Sequence, residues 1–98
     1  FGVHADGSSV VNISNSSFSS LTTALSAAGD AVINVERSTL AHNTTGATAT
    51  APALIRLSEV MTGFNVTALV GNIASFGNNR IAAGNATDGA PTATIPQQ

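Results

Sequence analysis

The side chains that could perform acid–base or metal chemistry are few and widely separated in this chain. The acids are Asp6, Asp30, Glu36, Glu59 and Asp88, and the histidines are His4 and His42. Calcium needs several oxygen ligands that converge on one point. Glycoside hydrolysis needs two carboxylates held roughly 5 to 9.5 Å apart. Whether either arrangement can form depends on the elements that position these side chains.

Those elements follow from an internal repeat of 22 residues. The segments "VVNISNSSFSSLTTAL", "VINVERSTLAHNTTGA" and "LIRLSEVMTGFNVTAL" start at Val10, Val32 and Leu54. Within each copy, Val and Ile alternate with other residues at the period of a β-strand. Gly, Asn, Ser and Thr divide the copies into pieces that are too short for helices. We expect one of these pieces, "TTALSAAGD", to be a loop.

The repeat length and the short strands together predict an all-β, parallel β-helix. Propeller blades are longer than these copies, and leucine-rich repeats need a different pattern. A fourth copy, "IASFGNNRIAAGNATDG", follows a shorter connection. The sequence therefore predicts about four coils of ~20–22 residues in 1–90, with 91–98 as a C-terminal tail or cap.

Stacked coils place equivalent residues above one another, roughly 4.8 Å apart, so residue types should recur in columns. The predicted inward ladders are Val11, Ile33 and Ile55, and then Ile13, Val35, Leu57 and Phe76. A further ladder in the turns contains Asn43, Asn65 and Asn85, with Leu21 above them. Asparagine suits such turns because it tolerates the left-handed conformation and can hydrogen-bond locally.

The same frame separates the acids and the histidines. Glu36 and Glu59 are one column apart, and strand alternation points them to opposite faces. His4 and His42 fall on different parts of the coil. We therefore predict no catalytic, cofactor-binding or metal site in this chain, and no cofactor.

Composition limits the partners further. Only 8 % of the residues are charged and the three arginines are scattered, which argues against nucleic acid as a partner. No apolar run approaches the roughly 20 residues of a spanning helix, so no membrane span is predicted. The absence of cysteine rules out disulfides and thiolate metal sites.

The segments "NVERSTLAHNTTGA", "IRLSEVMTGFNVTAL" and "SFGNNRIAAGNATDGAPTATIP" resemble the C-terminal part of secreted bacterial parallel β-helix proteins of the pectate-lyase-like class. The resemblance covers essentially the whole chain. It implies a right-handed helix and a secreted or cell-surface location. It does not specify an activity, because this class includes polysaccharide lyases, hydrolases, adhesins and proteins without known activity.

Two functions are compatible with these observations. The favoured one is a non-enzymatic secreted structural or binding module that contacts polysaccharide or self-associates. The alternative is a fragment of a polysaccharide lyase or hydrolase whose catalytic coils are missing. A discriminating feature would be a cluster of acids on one face of upstream coils.

The N-terminal coil is the expected site of self-association. Its strands would have an uncovered edge, which is a template for pairing with another chain. The association edge is predicted at Phe1, Val3 and Val11. Pro91 and Pro96 at the other end cannot donate to a ladder, so we expect the tail to cap the last coil. A homo-oligomer formed through the N-terminal coil is the expected assembly.

Overall fold

The computed structural model describes residues 2–76, 79–83, 85 and 93–94, which form short strands joined by turns. In chain order the strands are β1 (Val3–Ala5), β2 (Val10–Ser14), β3 (Ser17–Ser19), β4 (Thr23–Ala27), β5 (Val32–Glu36), β6 (Thr39–Ala41), β7 (Thr45–Ala49), β8 (Leu54–Ser58), β9 (Met61–Gly63), β10 (Thr67–Gly71), β11 (Ile73–Ser75), β12 (Arg80–Ala83) and β13 (Ala93–Thr94).

The strands assemble into three parallel sheets. Sheet A has the order β1-β4-β7-β10, sheet B β13-β11-β8-β5-β2, and sheet C β12-β9-β6-β3. The chain visits the sheets in rotation, so each strand pairs with its counterpart in the next turn. This arrangement is an all-β parallel solenoid of about three turns, which confirms the predicted fold class. None of the described segments forms a helix long and apolar enough to cross a membrane.

Sheet B carries the aliphatic columns that the repeat indicates. Val11 pairs with Ile33, and Ile33 pairs with Ile55. In the second column Val35 lies between Ile13 and Leu57. The second-turn and third-turn members of both columns are buried. Strand alternation turns these side chains inward, and stacking closes each of them between the turns above and below.

One part of the sequence expectation is wrong in sheet A. The segment "TTALSAAGD", expected to be a loop, contains β4 (Thr23–Ala27), which pairs with β1 and β7. Leu25 in this strand is fully buried beside Val3 and Ala47. Small residues give a weak strand signal, but parallel neighbours on both edges supply the hydrogen bonds and contacts that local propensity lacks.

The last turn is shorter, and this shifts its register. Four residues connect sheet A to sheet B in the first three turns, whereas Asn72 alone separates β10 from β11. Gly71 makes this possible with a φ of 88°. Ser75 consequently pairs with Leu57. The prediction that Phe76 lies under Leu57 is wrong. The connection before β11 is shorter than the repeat predicts, and this places Ser75, one residue before Phe76, in the column of Leu57.

The two ends of the solenoid differ in what covers the core. Leu25, Ile33 and Leu40 of the second turn are 0 % exposed. Their first-turn partners in the three sheets, Val3, Val11 and Phe18, are only partly buried. At the opposite end β13 pairs in parallel with β11 and extends sheet B by one strand. Two predicted features lie partly outside the described residues: Phe1 of the association edge, and the C-terminal tail except for 93–94.

Candidate functional site

The acids and histidines are dispersed around the solenoid. Asp6 and Asp30 lie in connections between sheets A and B, and Glu36 and Glu59 lie at the corner between sheets B and C. Within residues 2–76, 79–83, 85 and 93–94, no three His, Cys, Asp or Glu side chains lie close enough to hold a metal ion. Asp88 is outside the described residues. Arg37 contacts Glu36 at 3.5 Å, and both side chains are half-exposed. Surface pairs of this kind stabilise proteins little.

The corners on both sides of sheet C depend on residues with positive φ. These residues are Asn15, Arg37 and Glu59 between sheets B and C, and Ser20, His42 and Phe64 between sheets C and A. A single left-handed residue lets the chain turn sharply from one short strand into the next. The conformation is unfavourable for side chains other than Gly, Asn and Asp. Each corner therefore needs compensating contacts.

Buried asparagines supply those contacts between sheets C and A. The Asn43 side chain accepts a hydrogen bond from Leu21 N–H at 3.0 Å and donates to Phe18 C=O at 3.1 Å. Both groups belong to the corner one turn earlier, on either side of Ser20. Asn65 does the same for Asn43 N–H and Leu40 C=O, each at 2.9 Å.

Asn85 repeats the arrangement one turn later. Its side chain accepts a hydrogen bond from Asn65 N–H at 3.0 Å and donates to Thr62 C=O at 2.8 Å. Asn43 and Asn65 are 3 % and 2 % exposed. These side chains therefore serve the backbone of the solenoid and are not presented to a ligand.

A fourth asparagine, Asn79, has this role and was not predicted from the sequence. Asn79 accepts a hydrogen bond from Val60 N–H and donates to Leu57 C=O, both at 2.8 Å, around the corner residue Glu59. In the turn before, Ser38 Oγ accepts from Ser16 N–H at 3.1 Å. The available signal was position: Asn79 follows Val60 by nearly one repeat, as Asn65 follows Asn43.

The outer face of sheet B forms a groove of about 550 Å³. Its centre is a column in which Asn34 Nδ2 donates to Asn12 Oδ1 at 3.0 Å, and Arg56 Nη1 donates to Asn34 Oδ1 at 3.4 Å. Glu36 and Phe76 also line the groove. Amides, one cation, one carboxylate and one ring thus line this groove along successive turns.

A second groove, of about 440 Å³, follows the corner between sheets C and A. The rings of His42 and Phe64 are stacked there, with centroids 5.3 Å apart and planes at 9°. Phe64 and Val66 are 60 % and 57 % exposed. Hydroxyl-bearing residues line the same groove, namely Ser20, Thr22 and Thr44. We call this feature the corner groove.

Comparisons with known proteins found no matching family model, no similar curated protein and no similar solved structure. The two grooves and the partly exposed first turn are the features of the described residues that bear on function.

Proposed function

We propose that this chain is a non-enzymatic structural or binding module that self-associates through its first turn. The observation that carries this proposal is the partly exposed first-turn interior. Val3, Val11 and Phe18 occupy inward columns whose next members are fully buried. Covering them would remove apolar surface from water, which is favourable by about 25 cal/mol per Å².

The backbone at this end supports the same proposal. Strands β1, β2 and β3 are the terminal strands of sheets A, B and C. Among the described strands each has a neighbour on one edge only, and an unpaired edge can add a strand from another molecule. A second copy stacked head to head on the first would cover the first turn of each molecule and give a closed pair with two-fold symmetry. The association edge is assigned to Val3 and Val11, with Phe1 proposed from the sequence.

Size-exclusion chromatography with light scattering tests the assembly. We expect a dimer at tens of micromolar chain. Val11→Lys should convert it to a monomer, because the inward face of β2 would carry a charge. Val10→Lys is the matched control, since Val10 is 65 % exposed and its substitution should leave the dimer intact. A monomeric wild type at high micromolar concentration would refute the proposal, and filaments would show that the two ends join head to tail.

The groove on sheet B supports polysaccharide contact as a second part of this function. Its amides and the Arg56 guanidinium can donate to sugar hydroxyl or carboxylate oxygens, and Phe76 offers an apolar face. A glycan array with wild type and Arg56→Ala tests it. Equal signals from both proteins would argue against this groove.

The resemblance to pectate-lyase-like coils supports a right-handed asparagine-ladder helix and a secreted or cell-surface location. A crystal structure would determine the handedness, and fractionation of the producing cells would determine the location.

A further inference from the structure

Phe64 is a residue that stability does not explain. Its φ of 55° is strained for a bulky side chain, and glycine would remove that strain. Its side chain is 60 % exposed, so burial offsets little of this cost. The equivalent corners have Ser20 and His42 at a similar positive φ, so the corner itself does not require a bulky apolar side chain. A bulky, strained and exposed aromatic residue therefore indicates a binding surface.

The neighbours of Phe64 define the shape of that surface. His42, one turn earlier, holds the Phe64 ring nearly parallel to its own, with 9° between the planes. Val66 adds a second exposed apolar side chain to the corner groove. Together they form a firm apolar wall that runs along the solenoid axis.

The polar lining of the corner groove consists of hydroxyls, an amide and the His42 imidazole. Ser20, Thr22 and Thr44 are exposed there, and Asn43 lies at the floor with its amide used by the backbone. Among the lining residues none is Asp, Glu, Lys or Arg. The lining thus contains no carboxylate, ammonium or guanidinium group to pair with an ionic ligand, and its hydroxyls favour an uncharged ligand with hydroxyl groups.

The backbone of the corner groove is already hydrogen-bonded. Ser20 N–H donates to His42 C=O, and Thr44 N–H donates to Leu21 C=O. Val66 N–H donates to Asn43 C=O in the same way. A peptide strand would need a row of free N–H and C=O groups to be added here. The site therefore suits a ligand that is recognised by side chains.

We propose that the corner groove binds a neutral sugar chain. The C–H face of a pyranose ring would pack on Phe64 and Val66, and its hydroxyls would hydrogen-bond with Thr22 and Thr44. The chain would run along the solenoid axis across successive turns. This inference rests on the binding role proposed above, but it names a different site from the groove on sheet B and a different ligand chemistry.

Isothermal titration calorimetry with cellohexaose, and in parallel with a galacturonic acid hexamer, tests the proposal. The wild type should bind the neutral hexamer. Phe64→Gly and Phe64→Asn should weaken this binding by about tenfold or more, since the ring contact is lost. Both variants should melt at or above the wild-type temperature, because the strain at 64 is relieved. Loss of binding in a protein that is at least as stable separates a binding role from a structural one.

Phe76→Ala is the matched control, because it removes a ring from the other groove. It should leave cellohexaose affinity unchanged. The inference fails if the wild type binds no neutral hexamer at millimolar concentration, or if Phe76→Ala weakens binding as much as Phe64→Gly. Binding of the acidic hexamer alone, insensitive to Phe64, would overturn this inference while preserving polysaccharide contact through sheet B.

Discussion

The side-chain oxygen of Asn65 accepts a hydrogen bond from the backbone N–H of Asn43, one repeat earlier, at 2.9 Å. The Asn65 amide nitrogen donates to Leu40 C=O at the same corner. One side-chain amide thus provides hydrogen-bond partners for two backbone groups that the sharp turn would otherwise leave unpaired. The repeating asparagine is a structural requirement of the corner, which separates it from Asn12 and Asn34 on the outer face of sheet B.

Replacing Asn65 by Asp should make stability depend on pH. A carboxylate can accept from Asn43 N–H but would also face the oxygens of Leu40 and Asn85, where the amide now donates. Burial and repulsion should raise the pKa of the introduced carboxyl in the folded state above its unfolded value of about 4. The variant should therefore be destabilised at pH 7, by about 3 kcal/mol, and recover as pH falls below the folded pKa.

Urea unfolding at pH 7 and pH 4 measures this effect. Asn12→Asp, at an exposed position on the same solenoid, is the control and should show little change between the two pH values. An Asn65→Asp protein that is equally destabilised at both pH values would contradict the role of the donated hydrogen bond.

Removing methyl groups from the inward columns of sheet B should cost more in the second turn than in the first. Val35 is 2 % exposed, whereas Val11 and Ile13 in the first turn are partly buried. Val35→Ala should lower the free energy of unfolding by about 1–3 kcal/mol, and Val11→Ala by less than half as much. The comparison must be made by urea titration at submicromolar chain, where association does not contribute. Equal costs would show that the first turn is covered within a single molecule.

Gly71 should not tolerate a side chain. A Cβ there would sit 2.0 Å from Ala49 O, and φ is 88°. We expect Gly71→Ala to cost several kcal/mol, because overlap with backbone adds to the strain of positive φ. Gly7→Ala is the control: its φ is 66° but its Cβ would meet nothing within 4 Å, so only about 1–2 kcal/mol should be lost. Thermal melting of both variants tests the difference, and similar melting points would refute it.

Thr62 should be replaceable by Val at little cost. Thr62 is fully buried at the inward position of Phe18 and Leu40, and its hydroxyl donates to Ile81 C=O at 3.2 Å. Asn85 Nδ2 also donates to Ile81 C=O, so that carbonyl keeps a partner in the variant. Thr62→Val should change the free energy of unfolding by less than about 1 kcal/mol. A larger loss in calorimetry would show that the hydroxyl is required.

The regular part of the fold could be predicted because stacking makes the sequence repeat. Val11, Ile33 and Ile55 are aliphatic residues spaced by 22 positions, and each packs on its counterpart one turn away. That contact favours the same type of side chain at each position. The shortened last turn could not be placed in the same way. Phe76 is an apolar residue at a plausible spacing, but the sequence pattern does not show how much shorter the connection before β11 is than the connections in the earlier turns.

The candidate binding surface was harder to predict than the core. In the sequence Phe64 stands one repeat after His42 and two after Ser20, but the left-handed corner that exposes it is set by backbone contacts between turns. The Phe64 ring can stack on the His42 ring only because the two corners point their side chains in the same direction. Asn79 was missed for a related reason, since the shorter turn moves it out of the 22-residue frame.

The first three connections between sheets A and B are four residues long and the last one is a single residue, while the strands on both sides remain parallel and paired. Strand pairing, and not the length of this connection, therefore holds the turns together. Within the segment 28–31, Gly29 and Asp30 are exposed, whereas Ala31 is fully buried and accepts a hydrogen bond from Leu54 N–H of the next turn. A peptide epitope inserted between Gly29 and Asp30 should therefore be displayed at the side of the solenoid while Ala31 keeps its place in the core.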